Sequence, residues 1–490
     1  MAAVLPAGRR AVAGWLSRPA VLRWLGLFGA ACCAVDGVLF GAPTWIRRGV
    51  SVMSILRGPN GPLIMLLWIA GLTALCTAWW CGRRLVADGL VSRRWIIVTG
   101  LLWVLPMLVI PPLASRDMYA YACQGSLFDA GFNPSVVGVS AQPCPWLDSV
   151  SLVWRDTPTP YGPLWIMLTG LAAAFGSQAV ALAVFRIYAV LAVLALAAVV
   201  PVLARLRGAP ADRALWLVLC CPIVAVHVVG GGHNDALTMA LLLAGLALIA
   251  GRHRSIALLV AGGAVVGAAI AVKTTVGVVL PFAALLASGG LPPGREGWLR
   301  FLRRGGAVVG GALAGLLVLS AVSGLGLGWA TALSGAGESR SWTSPSTAVG
   351  IAINAAAKWF GLQIDAVPAT RLIALILMLA GLVVLWWRFR RGDPLHGAAL
   401  ACLVVIFCAP ITQPWYLYWA LALFAVTTLK FRWLEIAVIA GMFLILPNGD
   451  GAWKPLQVPF AFLMTGLVVW VGRRAVRWLR EPAPVEATVT

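Results

Sequence analysis

The chain has 490 residues, 61% of them hydrophobic and only 11% charged, with a formal charge of +21. Soluble domains run at roughly 45–50% apolar and 25% charged, so a fold solvated mainly by water is excluded. A soluble protein this basic would point to nucleic acid, but here the charge alternates with apolar runs. Arg9, Arg10 and Arg18; Arg83, Arg84, Arg93 and Arg94; Arg205, Arg207 and Arg213; Arg252 and Arg254 fall in alternate gaps. Arg295, Arg300, Arg303 and Arg304; Arg388, Arg390 and Arg391; Lys430 and Arg432; and Arg473, Arg474, Arg477 and Arg480 continue the series. These are 25 of the 37 Lys and Arg residues, and the positive-inside rule makes their gaps cytoplasmic. The basic surplus is therefore topology facing anionic lipid headgroups, and no nucleic-acid partner is expected.

Apolar runs of roughly 15–25 residues recur throughout, near the ~20 a helix needs to cross hydrocarbon. Helices must do the crossing, because lipid offers backbone groups no partners. The fold class expected is an all-α polytopic membrane protein. One transmembrane domain over 1–480 would hold a bundle of about 12 to 14 spans. Its two long external loops, about 115–178 and 329–370, would carry short interfacial helices, and 481–490 would be a disordered tail.

The first spans are expected at 21–40, 63–82 and 95–113. The first is too long, and lacks the small-residue cleavage site, for a cleavable leader. After the third comes the densest polar sequence, from Ser115, Arg116 and Asp117 through Tyr119, Tyr121 and Gln124. Asp117, at the membrane surface beside two tyrosines and a cation, is placed to take a proton from a hydroxyl. The bland alternative is a solvated acid paired with Arg116. The same loop holds Asp129 and, with Cys123 and Cys144, either a disulfide or two free thiols. Further on, Asp156 to Pro163 forms a proline-stiffened turn into a short apolar helix, 162–175. There Tyr161 either meets a sugar or packs on the membrane surface.

Spans at 179–203 and 214–229 follow, the former carrying Arg186 about two turns in. An ionisable group inside a span is a functional candidate by default, unless it snorkels to the interface. Gly230, Gly231, Gly232, His233, Asn234 and Asp235 then join to a span at 236–250. His233 and Asp235 have no second histidine nearby, so no metal is expected. A hydrogen-bonding wall for substrate hydroxyls is preferred, with a helix cap by Asn234 or Asp235 as the plain alternative. Lys273 interrupts the apolar run between spans at 256–272 and 276–288, as two half-helices would, and suits a phosphate contact.

A span at 306–328 leads into the second external loop, with Arg340 as another phosphate candidate and a short helix at 348–359. Spans at 371–387, 396–411, 416–429, 433–447 and 456–472 complete the chain. Between two of them lie Thr412, Gln413, Pro414, Trp415, Tyr416 and Trp419. A membrane-interface belt explains the aromatics, whereas Gln413 between Thr412 and Pro414 suggests a shaped polar pocket.

Taken together, RDMYAYACQG from Arg116, TPYGPLW from Thr159, GGHNDAL from Gly231, VKTTVGVVLPF from Val272 and QPWYLYW from Gln413 resemble the polyprenol-phosphate-mannose-dependent α-1,6-mannosyltransferases, within the GT-C class of membrane glycosyltransferases. The resemblance implies inverting transfer of mannose from polyprenyl phosphomannose to the 6-hydroxyl of a lipid-anchored mannan, on the non-cytoplasmic face of the plasma membrane. Asp117 would be the general base and Lys273, Arg340 or Arg186 the donor-phosphate cation. Arg116, Tyr119, Tyr121, Asp129, Asp156, Tyr161, His233, Asn234, Asp235, Gln413, Trp415 and Tyr416 would bind substrate. No cofactor is expected beyond the lipid-linked sugar. GT-C enzymes mostly carry the acid after the first span, which keeps Asp36 in consideration. An arabinosyl or other polyprenyl-phosphate-sugar transferase, and less closely a lipid or sugar transporter, share the same polytopic pattern; a transporter would be expected to show midplane charges and repeated halves.

Overall fold

A computed structural model describes residues 14–42, 50–251, 255–332, 340–428 and 431–481. Arg9, Arg10, Arg252, Arg254, Lys430 and the tail beyond Glu481 lie outside the described residues. Within them the fold is helical, with no strand longer than a single antiparallel bridge between Ile445 and Gly451. The main helices are α1 (Pro19–Phe40), α2 (Gly61–Ala87), α3 (Arg93–Val104), α4 (Asp117–Asp129), α5 (Pro163–Ala173) and α6 (Gln178–Leu206). Then come α7 (Ala211–Leu219), α8 (Asp235–Ala250), α9 (Ile256–Val272), α10 (Leu280–Ser288) and α11 (Arg295–Val322). The C-terminal part adds α12 (Pro345–Trp359), α13 (Val367–Phe389), α14 (Pro394–Cys408), α15 (Leu417–Ala425), α16 (Arg432–Met442) and α17 (Gln457–Arg480).

Among the described residues, six helices are long and apolar enough to cross a membrane: α1, α2, α6, α11, α13, and α17 with the turn before it. A seventh crossing is available if α7 and the π-helix Val224–Gly230, bent by 56°, count as one broken span. Shorter apolar helices, α5, α8, α9, α14 and the run Thr274–Ser288, pack among them. On the outermost helices apolar side chains such as Leu372, Leu377, Leu463 and Trp470 face outward, as lipid contact requires.

Helix ends follow local chemistry. Ser92, Ser255 and Asp393 cap α3, α9 and α14 with side-chain oxygens that accept backbone N–H bonds, satisfying donors the first turn leaves open. Small residues then let backbones approach. A Cβ on Gly263, Gly267 or Gly311 would stand 2.2 Å from a carbonyl oxygen of the facing helix, so α9 and α11 touch main chain to main chain.

Helices α4 and α5 pack against each other and against α6. Cys123 in α4 is disulfide-bonded to Cys144, 21 positions further along the sequence, with the Cα atoms 5.5 Å apart. A loop that size contributes about 3 kcal/mol by restricting the unfolded chain. Cys123→Ser with Cys144→Ser is therefore expected to lower the thermal unfolding midpoint of purified protein, whereas reductant would leave the double variant unchanged.

Three backbone bonds fix the segment ahead of α4. Ala42 N–H donates to Pro112, Leu113 N–H to Gly230 and Ala114 N–H to Pro447. Gly162 N–H likewise reaches Val272 O. The start of α4, the glycine turn, the break after α9 and the hairpin near Pro447 are thus brought to one place.

Candidate functional site

At the head of α4, Asp117 N–H donates to Ser115 Oγ at 3.0 Å, and its carboxylate projects toward the glycine turn. Oδ2 stands 3.4 Å from His233 Nδ1, with the Asp117 side chain 20% exposed. Burial, opposed by the charge of Lys273 and the Ser115 bond and assisted by Asp235, raises the Asp117 pKa to about 6. His233 moves the other way: burial first, then the nearness of His227 and Lys273, depress its basicity. At neutral pH the arrangement is an ionised carboxylate beside a neutral imidazole.

The turn beneath it depends on glycine at one position. Gly232 has φ +68°, and a Cβ there would lie 2.3 Å from Met118 Cγ, so only glycine lets α4 settle against His233. Asn234 occupies the N-cap position of α8, yet its side chain makes no cap bond. Both of its amide atoms are buried without a partner, as are His233 Nε2 and Asp235 Oδ2.

The other oxygen of Asp235 is fully engaged. Lys273 Nζ donates to Oδ1 at 2.8 Å and Trp419 Nε1 donates to it at 2.6 Å. Lys273 is the residue at which α9 stops, with extended φ −143° and ψ 103°, so the apolar run breaks where the sequence places its cation. The ammonium lies over the rings of Tyr416 and Trp419, 4.8 and 5.0 Å from their centroids.

From the third turn, Trp415 stacks on His233 at 3.9 Å and 24° and meets His227 at 5.0 Å. Tyr416 stacks on Trp419 at 4.7 Å. The hydroxyls of Tyr121 and Tyr161 are 3.1 Å apart, and the charge of Asp117 acts on both phenols and on Tyr416. Asp117, Tyr121, Tyr161, His233, Asn234, Asp235, Lys273, Trp415 and Tyr416 therefore converge. Gln413 caps the turn that presents Trp415, its carbonyl accepting from Tyr416 N–H.

Other sequence candidates lie apart. Tyr119 points off the opposite side of α4 and donates to Ala42 O at 2.8 Å, with the Arg116 guanidinium 5.7 Å from its ring centroid. Asp129 ends the 13-residue α4, about 18 Å from Asp117 at 1.5 Å per residue. Asp156, exposed, accepts a hydrogen bond from Ser140. Arg340 is held by Asp365 through two bonds of 3.0 and 2.7 Å on the surface. That pairing raises the pKa of Arg340 and lowers that of Asp365. Arg186 is 8% exposed, so it does not snorkel. Asp36 is buried in α1 with neither oxygen bonded.

Two residues join the site without a sequence argument. Trp419 looked like one more belt aromatic. His227, in the π-helix, is 0% exposed with both ring nitrogens unpartnered; its signal was a lone imidazole inside an apolar run, the kind of interruption that singled out Lys273. No third ligand joins His233 and Asp235: among the described residues no group of three or more His, Cys, Asp and Glu is placed to hold one ion.

Apolar helices long enough to cross a membrane, together with the family that the sequence matches, place the chain among the membrane glycosyltransferases. The chain belongs to the alpha-(1->6)-mannopyranosyltransferase family. Its residues 23–289 match the family's "Alpha-(1->6)-mannopyranosyltransferase, N-terminal domain" and residues 346–474 match the "MptB C-terminal domain". It is 34% identical to alpha-(1->6)-mannopyranosyltransferase A of Mycobacterium tuberculosis, over 89% of this chain and 86% of that protein. The protein of the same name from Corynebacterium glutamicum is 30% identical over 85% and 89%. A probable alpha-(1->6)-mannopyranosyltransferase of Mycolicibacterium smegmatis is 28% identical over 94% and 90%. No solved structure matches the chain. The protein is a glycosyltransferase, and its relatives support mannosyl transfer.

Proposed function

We propose that this enzyme moves mannose from polyprenyl phosphomannose to the 6-hydroxyl of a lipid-anchored mannan or lipomannan, on the non-cytoplasmic face of the plasma membrane. The frame would be a GT-C-like bundle of about 12 to 14 crossings, with the short helices completing partial spans. The observation that carries this reading is the meeting of Asp117 with a wall of buried, unpartnered polar atoms on His233, Asn234 and Asp235. Buried polar groups are nearly always hydrogen-bonded, so such a wall suits a ligand rich in hydroxyls. The stacked aromatics beside it suit a sugar ring.

Asp117 takes the proton from the acceptor's 6-hydroxyl as that oxygen bonds to the anomeric carbon. The anomeric carbon–phosphate oxygen bond breaks on the opposite face, its electron pair leaving with polyprenyl phosphate. A β-linked donor thereby gives an α-(1→6) product. Phosphate is a weak base, so the leaving group needs positive charge and no proton. Tyr161 and Tyr121 line the acceptor side of the carboxylate, and Lys273 adds its field across the pocket.

Purified protein supplied with synthetic polyprenyl phosphomannose and an α-(1→6)-mannoside acceptor is expected to extend the acceptor by mannose. With polyprenyl phosphoarabinofuranose in its place, no transfer is expected. Comparable or faster arabinose transfer would overturn the donor assignment, and movement of the lipid across vesicles without transfer would overturn the reaction.

A further inference from the structure

The π-helix Val224–Gly230 sets one imidazole, His227, into an apolar run. Val224, Ala225, Val226, Val228 and Val229 around it are all buried, so packing alone asks only for one more apolar side chain. His227 is instead 0% exposed with neither Nδ1 nor Nε2 bonded to any partner among the described residues. Burying a polar group without a hydrogen bond costs stability. Buried polar atoms are nearly always satisfied, so a pair left open on one ring needs a reason other than packing.

Position supplies that reason. The His227 carbonyl accepts the N–H of His233 at 3.3 Å, and the His227 ring lies 5.0 Å from that of Trp415 and 6.3 Å from that of His233. His233 in turn stands 3.4 Å from Asp117. The imidazole is therefore joined to the carboxylate by an unbroken series of contacts, beside His233 Nε2 and the Asn234 amide, which are unpartnered as well. π-Turns are rare and occur frequently at functional sites. A neutral imidazole offers one donor and one acceptor on a rigid ring, and a hydroxyl group, itself donor and acceptor, matches both. We infer that His227 binds a ring hydroxyl of a mannose in the pocket and selects against sugars that lack it. This rests on the mannosyl transfer proposed above and deepens it by naming a specificity-determining residue.

The test uses full-length protein in nanodiscs and reads ratios of kcat/KM. Polyprenyl phosphomannose is compared with donors lacking the 2-, 3- or 4-hydroxyl, and the α-(1→6)-mannoside acceptor with acceptors lacking the same groups, so that the two sugars are told apart. In wild type, one deoxy sugar is expected to lower kcat/KM at least about tenfold, because the site's polar atoms are then left unpaired. His227→Phe keeps a flat ring against Trp415 and should lose at least about tenfold on the full sugar while treating that one deoxy sugar and the full sugar nearly alike. The ratios at the other positions should stay as in wild type. Its unfolding midpoint should equal or exceed that of wild type, since unpaired polar atoms leave the interior. His227→Gln, which restores a donor and an acceptor, should recover part of the discrimination; if the phenylalanine variant does not fold, a smaller ratio in the glutamine variant supports the inference and an unchanged one overturns it. Equal slowing of every sugar in His227→Phe, with all ratios unchanged, makes His227 a packing residue and overturns the inference alone, as does a wild type indifferent to every deoxy sugar. A wild type that transfers no mannose from the normal donor sinks both this inference and the proposed reaction.

Discussion

Asp117→Asn is expected to abolish mannose transfer, lowering kcat by about a thousandfold, within the 10²–10⁴-fold range of general-base catalysis, while the protein folds normally. The amide keeps the volume and the Ser115 bond to the backbone but cannot accept the acceptor's proton. Folding should not suffer, for a definite reason. Burial raises the folded-state pKa of Asp117 to about 6, above the ~3.9 of an unfolded aspartate. Its ionised form is thus disfavoured by folding, and stability falls as pH rises from about 4 to 6. At pH 7 the asparagine variant should be at least as stable as wild type. The same pKa sets the acid limb of activity: kcat/KM should climb as pH rises through about 6 and lose that limb in the variant. Activity within a few-fold of wild type would remove Asp117 from its role.

Separating Lys273 from Asp235 should produce the largest loss of stability. Asp235 is 0% exposed and Lys273 9% exposed in their side chains, so deleting either partner strands the other's charge, at a cost of about 3–5 kcal/mol. Lys273→Met leaves the carboxylate with the Trp419 indole as its remaining donor. Asp235→Leu leaves the ammonium over two aromatic faces, which offset part of the loss. The double variant, with both charges gone, should unfold at a higher temperature than either single one. Thermal unfolding of the four purified proteins checks this, and single variants no less stable than the double one would show that the pair is not the anchor of the turn.

Periodicity in a long apolar run reports a helix well, so α8 and α9 lie almost where their spans are expected, at 236–250 and 256–272. Where apolar residues continue through a bend the signal fails: the single span expected at 214–229 is α7 plus a π-helix at 56°. The expectation at 306–328 misses the N-terminal turns of α11, because Arg295 to Arg304 read as cytoplasmic loop although they continue the helix. The site shows the same division. His233, Asn234, Asp235, Lys273 and Trp415 were legible because polar or ring residues interrupt apolar sequence. Tyr119 and Asp129 were misplaced because composition alone does not say which side of α4 a residue occupies. Two residues along a helix turn by about 200°, so Tyr119 and Tyr121 leave on opposite sides. Arg340 was read without Asp365, its partner 25 residues away.

The two stretches that match separate family domains, 23–289 and 346–474, do not behave as separate modules. Ala114 holds a left-handed φ of 56°, costly for a residue with a side chain. Its N–H bonds to Pro447, and Gly449, at φ +95°, lies against Ser115 where a Cβ would stand 2.9 Å from its Cα. Trp415 and Trp419, from the later stretch, close on His233 and Asp235 of the earlier one. Cutting the polypeptide between the two and expressing each fragment alone would therefore yield two incomplete half-sites, and regaining turnover would require the fragments to associate inside one bilayer.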